Sequence, residues 1–289
     1  MLQAISDQHD AHHTRTRRTT LDSLATSFGD GKVHILLAAS GSVATIKLPN
    51  IIQALSKHPS SRLSIRVVLT SSAAKFLGGQ SHEQPNLSQL NALPNVDAVY
   101  VDTDEWKEPW VRGRGILHIE LRRWADILVI APLSANTMAR IVNGFADNLL
   151  TSVVRAWDPL GDLDPAQVLG NRRPKKRRII VAPAMNTAMW RHPITAKQLR
   201  VLEEEWGVKT IAAPSTSEVD VQTDGRPASQ TIDDQEGDGW FEVLRPASKV
   251  LACGDTGDGA MIEWTQIVAV IEERLGLLDE ARRESINEE

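Results

Sequence analysis

The chain has 289 residues, 32 Lys plus Arg against 37 Asp plus Glu, a formal net charge of -5, and 42% hydrophobic and 24% charged residues. This is the composition of an ordinary globular protein of roughly one to two domains, mildly acidic and so a poor nucleic-acid binder. No apolar run approaches the roughly 18 residues of a membrane helix, and the single cysteine, Cys253, excludes an intramolecular disulfide and any multi-cysteine metal cluster.

In chain order, residues 1–30 are polar and aperiodic, with His9, His12 and His13 near Arg15, Arg17 and Arg18. They read as a disordered arm, and the start lacks the apolar stretch of a secretory signal. Order is expected from Val33. VHILLAAS (33–40) has the near-continuous apolar profile of a buried parallel strand, GSVATIKLPNIIQALS a helical face through Leu48, Ile51, Ile52 and Leu55, and LSIRVVLT (63–70) a second strand. ADILVIAPLS (125–134) predicts a further strand, followed by one long helix through TMARIVNGFADNLLTSVVRAW. RRIIVAPAM (177–185) predicts another strand, 194–206 a helix, KTIAAPS (209–215) a fifth strand, KVLACG (249–254) a candidate sixth, and 264–283 a closing helix. This alternation indicates an α/β protein with a single doubly wound parallel sheet, flavodoxin- or Rossmann-like, over residues 31–289. Residues 78–97, 158–176 and 214–248 are polar, short of periodicity, and expected to be loops, the last two as insertions. The basic run Arg172, Arg173, Lys175, Lys176, Arg177, Arg178 reads as a solvated loop edge, with a nuclear-localisation patch as the other reading.

Ligands of open parallel sheets bind outside the carboxyl ends of the strands. Here those ends carry small hydroxyl residues: Gly41-Ser42, Thr70-Ser71-Ser72 and Ser134-Ala135-Asn136-Thr137. Gly41 and Ser42 open a helix directly after a strand, an arrangement that suits a phosphate and equally a simple helix cap. Neither a dinucleotide GxGxxG nor a GK[ST] phosphate loop is present. With no Lys or Arg inside them, the three ends suit the single phosphate of a mononucleotide such as FMN better than ATP. Asn186, in the strand end Pro183-Ala184-Met185-Asn186, is a poor core residue and a good donor to a substrate carboxylate.

LHIELRRWADILVIAPLSANT (117–137), ADNLLTSVVRAWD (146–158), PAMNTAMW (183–190) and ACGDTGDGAM (252–261) carry a resemblance. They resemble, in order, the homo-oligomeric flavin-containing cysteine decarboxylases, the family of phosphopantothenoylcysteine decarboxylase and the lantibiotic-peptide decarboxylases, and most of all its plant and fungal halotolerance-type branch. The resemblance implies that Gly41, Ser42, Val43, Thr70, Ser72, Ser134, Asn136, Thr137 and Ala184 hold FMN. It implies that His118 is the active-site histidine, that Asn186, Met189 and Arg123 bind substrate, and that Cys253 sits on a flap closing over the site. Two departures stand out: Leu133 replaces the first alanine of the family's Pro-Ala-Ser-Ala-Asn-Thr signature, and segment 214–248 lengthens the approach to the cysteine.

The implied reaction is FMN-dependent oxidation of a cysteinyl thiol, loss of carbon dioxide, protonation by Cys253 and re-reduction, giving phosphopantetheine for coenzyme A biosynthesis. His118 is the implied base, imidazole being suited to proton exchange near neutral pH. The resemblance also implies a homotrimer with sites between protomers, while the composition and the lack of long apolar runs lead to the expectation of a cytoplasmic protein with neither nucleic-acid nor membrane partners. Rival readings are a phosphatase-inhibitory subunit of the same fold and a peptidyl-cysteine decarboxylase. The joint presence of His118, Asn186 and Cys253 disfavours the first.

Overall fold

Strands that are apolar on both faces are stable only where both faces of their sheet are covered. The computed structural model, which describes residues 24, 26–163, 177–208, 239–250 and 256–278, has this arrangement. Six strands, β1 (Val33–Ala39), β2 (Leu63–Leu69), β3 (Val96–Val101), β4 (Ile127–Leu133), β5 (Ile179–Pro183) and β6 (Phe241–Val243), form one sheet in the order β3-β2-β1-β4-β5-β6. Every pairing in it is parallel. A separate antiparallel pair is made by β7 (Ala247–Val250) and β8 (Thr256–Ala260). The helices are α1 (Leu48–Leu55), α2 (Ser71–Ala74), α3 (Leu87–Asn91), α4 (Leu117–Trp124), α5 (Ala135–Val142), α6 (Leu149–Arg155), α7 (Thr187–Arg191), α8 (Pro193–Arg200) and α9 (Trp264–Arg274).

The twofold period of the strands divides the core. Ile35, Leu37 and Ala39 of β1 pack with Leu48, Ile51, Ile52 and Leu55 of α1 and with Ile267 and Ile271 of α9. Leu36 and Ala38 face the other way, into Leu121 and Trp124 of α4, Met138 and Ile141 of α5 and Val153 of α6. Each fully buried Leu or Ile contributes roughly 1.5–3 kcal/mol. The sheet is therefore doubly wound, as the alternation of elements predicts.

A polar cluster is set into the apolar core at β2. Arg66, in the middle of β2, is 2% exposed; its guanidinium donates to the Tyr100 hydroxyl at 2.5 Å and lies 5.0 Å from the Trp124 ring centroid. Trp124 in turn stacks on His34 at 4.5 Å. Burial pushes the Tyr100 phenol above its ordinary value, against the pull of Arg66, so it stays neutral and accepts.

Several expectations are corrected. Of the arm, residues 1–23 lie outside the described residues, but Leu24 is fully buried and Asp30 bonds the His34 ring, so the fold begins before Val33. Segment 78–97 is not all loop. Asn86 and Gln89 form a reciprocal capping box that starts α3, and β3 follows. The long helix predicted through residues 137–157 is two. Gly144, with φ of 74°, ends α5, and Asn148 caps α6 by accepting the Thr151 N–H. The strand predicted at 209–215 falls outside the described residues, and the last strand of the sheet among those described is β6, inside the segment expected to be an insertion. The candidate sixth strand corresponds to β7, which pairs with β8 and not with the sheet. Among the described residues, no helix is long and apolar enough to cross a membrane.

Candidate active site

The strand order reverses its direction of growth at β1 and β4, which are adjacent although far apart in the chain. This is the topological switch point where open parallel sheets bind ligands. Ser40, just past β1, stitches the two ends together. Its N–H and its hydroxyl both donate to the Pro132 carbonyl at 3.0 Å, and its Oγ accepts the Ser134 N–H at 2.7 Å. Ser40 is completely buried and was not singled out in the sequence, although it closes the apolar run VHILLAAS.

Around this stitch the predicted hydroxyl residues converge. The Thr70 N–H donates to Ala39 O at 3.1 Å, Thr70 Oγ1 lies 3.2 Å from Ser72 Oγ, and Oγ1 also caps α2 through Ala73 N–H. Gly41 faces the same pair; a Cβ built on it would lie 2.5 Å from Ser72 Oγ. Ser42 caps the 3-10 turn Val43–Lys47 by accepting the Ala44 N–H, while Val43 is half exposed. Ser134 caps α5 through Thr137 N–H, and the two hydroxyls lie 3.3 Å apart. Asn136, on the first turn of α5, is exposed. Neutral hydroxyls and helix-start amides around a glycine that admits no side chain fit a phosphate bound without a cation. The residues present fit FMN. Ala184 follows β5, donates its N–H to Leu133 O at 2.9 Å, and has its methyl packed in the core, so it has only backbone to offer a cofactor.

His118 occupies the first turn of α4, which runs back toward the amino end of β4, so the helix start lies at the carboxyl edge of the sheet. Its ring is one fifth exposed, and its Nδ1 pairs with the carboxylate of Glu105, a side chain only 2% exposed. The same carboxylate accepts the His118 backbone N–H at 3.2 Å. Glu105 is not apparent from the sequence, because β3, the strand that delivers it, carries Asp97 and Tyr100 and begins inside the segment expected to be loop; its alternating VDAVYV is the signal for it. Arg123 lies five residues further along α4, roughly 7.5 Å from His118 along the axis. Its guanidinium is paired with Glu120 at 3.0 Å.

Asn186 follows β5 at the same edge and is exposed. Its Oδ1 accepts the Met189 N–H at 2.9 Å and so caps α7, and its Nδ2 has no partner among the described residues. Met189 is 53% exposed, unusual for a methionine and consistent with a wall that a ligand covers. The strand β8 backs this segment: Met185 N–H donates to Gly259 O at 2.9 Å, and Arg191 binds Asp258 through two nitrogens at 2.7 and 3.0 Å. Cys253 lies outside the described residues, in the connection between β7 and β8.

A family model described as Flavoprotein matches residues 24–276. A probable phosphopantothenoylcysteine decarboxylase of Arabidopsis thaliana is 37% identical over 253 residues, 88% of this chain and 92% of that protein. Among solved structures, a PPC decarboxylase mutant complexed with pantothenoylaminoethenethiol is similar with a TM-score of 0.59 and 35% identity, over 85% of this chain and 99% of that one. The FMN binding protein AtHal3 is similar with a TM-score of 0.56 and 36% identity, over 83% and 95% of the two chains. Two yeast relatives are much longer proteins, of which the chain spans 36% and 30%. With a switch-point cradle suited to a flavin phosphate and a match over most of its length, the chain belongs to the Flavoprotein family.

Proposed function

We propose that this chain is an FMN-dependent decarboxylase of phosphopantothenoylcysteine that forms phosphopantetheine for coenzyme A biosynthesis. The observation that carries the reading is the gathering of the hydroxyl cradle, His118 and Asn186 at one edge of the sheet. A relative bearing that enzyme's name, matched along nearly its whole length, supports it.

In this reading Gly41, Ser42, Val43, Thr70, Ser72, Ser134, Asn136, Thr137 and the Ala184 backbone hold the cofactor. When bound, FMN supplies a reversible two-electron acceptor for the cysteinyl side chain, and so an electron sink for a carboxylate that otherwise has none. His118 takes the thiol proton on Nε2, because Nδ1 is engaged by Glu105. The Asn186 amide donates from Nδ2 to the substrate carboxylate and orients it for departure, a contact worth about 1.5–3 kcal/mol with a charged acceptor. Met189 walls the site against water, Arg123 offers a further contact, and Cys253 delivers a proton to the carbon from which carbon dioxide has left. We also place the working enzyme in the cytoplasm as a homotrimer whose protomers complete each other's sites; the exposed Val43 and Met189 at the site edge support a covering surface there.

The test is direct. Purified protein should be yellow, release FMN on denaturation, and convert phosphopantothenoylcysteine to phosphopantetheine with stoichiometric carbon dioxide. Protein that binds FMN and turns over only a peptide ending in cysteine would replace the substrate; protein without flavin would end the proposal.

A further inference from the structure

We propose that Glu105 is the positioning residue for His118, holding the imidazole as the Nδ1–H tautomer so that Nε2 presents its lone pair to the substrate. The inference rests on the reading of His118 as the base and names the group that sets its proton.

A buried carboxylate is costly unless charged or polar partners satisfy it. Glu105 follows the 3-10 turn Asp102–Asp104 at the end of β3, and its side chain is 2% exposed, while the next residue, Trp106, is 63% exposed. The chain therefore turns this acid inward and its neighbour outward. What Glu105 meets inside is the first turn of α4. The residue before that helix, Ile116, has no side-chain acceptor to cap it, and Glu105 Oε1 takes the His118 N–H from 13 residues away. An acid at a helix start is favoured by the helix dipole as well.

Capping alone would need only the backbone contact. The same oxygen also meets the ring at Nδ1, which ties the orientation of the imidazole to that of the helix. An ionised carboxylate can only accept, so the ring hydrogen of this pair belongs to Nδ1, and in the neutral ring Nε2 is the acceptor. When the substrate S–H bond breaks, its proton goes to Nε2. The resulting imidazolium keeps Nδ1–H on Glu105, whose negative charge stabilises it. This is the carboxylate–histidine logic of the hydrolase triads, with a redox partner in place of an attacking serine.

The discriminating variant is Glu105→Gln, which keeps an oxygen for the His118 N–H and removes the charge. With FMN content and melting temperature unchanged, kcat should fall by about 10- to 100-fold, a part of the roughly 10²- to 10⁴-fold that general base catalysis supplies, with KM within about twofold. In a His118→Asn background the same change should alter the residual rate by less than about twofold, because residues acting as a unit are not additive. Glu105→Asp, which keeps the charge, should recover part of the lost kcat. Independently of turnover, nitrogen-15 NMR of histidine-labelled protein, with the His118 signals identified by their loss in His118→Asn, should report Nδ1–H in the wild type and in Glu105→Gln, whose amide oxygen still accepts, and a shift toward Nε2–H in Glu105→Leu, which removes the oxygen that both contacts share. An unchanged tautomer in Glu105→Leu, or an equal fall in rate for Glu105→Gln in both backgrounds, would leave Glu105 as a cap of α4 and overturn the inference. If the wild type proves inactive on the proposed substrate, the function fails while the tautomer still decides the role of Glu105.

Discussion

At the ends of β1, β2 and β4 the first polar residue past or closing each strand, Ser40, Thr70 and Ser134, is buried and hydrogen-bonded to a neighbouring strand end, whereas at the end of β5 the corresponding Asn186 stands at the surface. Ser40, Thr70, Ser134 and Thr137 are all at most 6% exposed and share hydrogen bonds across three strand ends. Asn186 and Met189 are exposed and are held by one helix cap and by the Arg191–Asp258 pair at the surface. The cofactor half of the edge is thus formed by the folding of the sheet itself, since its bonds are the ones that close neighbouring strands. The substrate half is positioned by a short local element and needs a ligand or another surface to bury it. His118 belongs to the first kind, because Glu105 fixes it from inside.

Substitutions in the two halves should therefore fail differently. Asn186→Asp retains an N-cap of equal quality but sets a carboxylate against the substrate's own. We expect kcat/KM to fall by about 100-fold or more, since opposed like charges cost several kcal/mol, with FMN content and melting temperature unchanged. Steady-state kinetics with flavin absorbance would check this, and an unaffected kcat/KM would remove Asn186 from the site. Gly41→Ala acts on the other half. Its new methyl would lie 2.5 Å from Ser72 Oγ, and overpacking of this kind costs about 1–3 kcal/mol. FMN affinity, read by fluorescence titration, should weaken by about tenfold; equal affinity would place the cofactor elsewhere.

The smallest effect tests a region outside both halves. Glu242, on β6, bonds Arg178 at 3.0 Å and Arg274 at 2.9 Å. Burial works to raise its pKa, but the hydrogen bonds and charges of Arg274 and then Arg178 outweigh it, so the carboxyl lies below its ordinary 4.5. A group depressed in the folded state stabilises above its unfolded pKa and loses that contribution as pH falls through the folded one. Glu242→Gln should lower the melting temperature by a few degrees at pH 7, and the gap should close as the pH is taken below about 4.5, with FMN binding unaffected throughout. A gap independent of pH would assign the loss to packing.

Legibility in the sequence followed the strength of local signals. Apolar runs such as VHILLAAS, LSIRVVLT and ADILVIAPLS announce buried strands because nothing but a covered sheet can hold them. The short signals fared worse. VDAVYV carries two polar residues that the structure satisfies, Asp97 by Ser64 and Tyr100 by Arg66, so its start reads as part of the loop 78–97 until its partners are seen. NGFADN hid a helix break within a continuous apolar pattern, and FEV is too short for any periodicity. In the site, hydroxyls at strand ends were legible because strand ends are where parallel sheets bind. Ser40 and Glu105 were not, since each acts on a residue 94 and 13 positions away respectively.

The single cysteine, the motif segments and the doubly wound alternation are properties of the chain read alone, because composition and periodicity depend only on neighbours in sequence. The strand order that puts β1 beside β4, the Ser40 stitch between them and the carboxylate behind His118 belong to the tertiary structure. Each is a contact between segments distant in the chain, and it is packing of the two helical layers on the sheet, not any local preference, that brings them together.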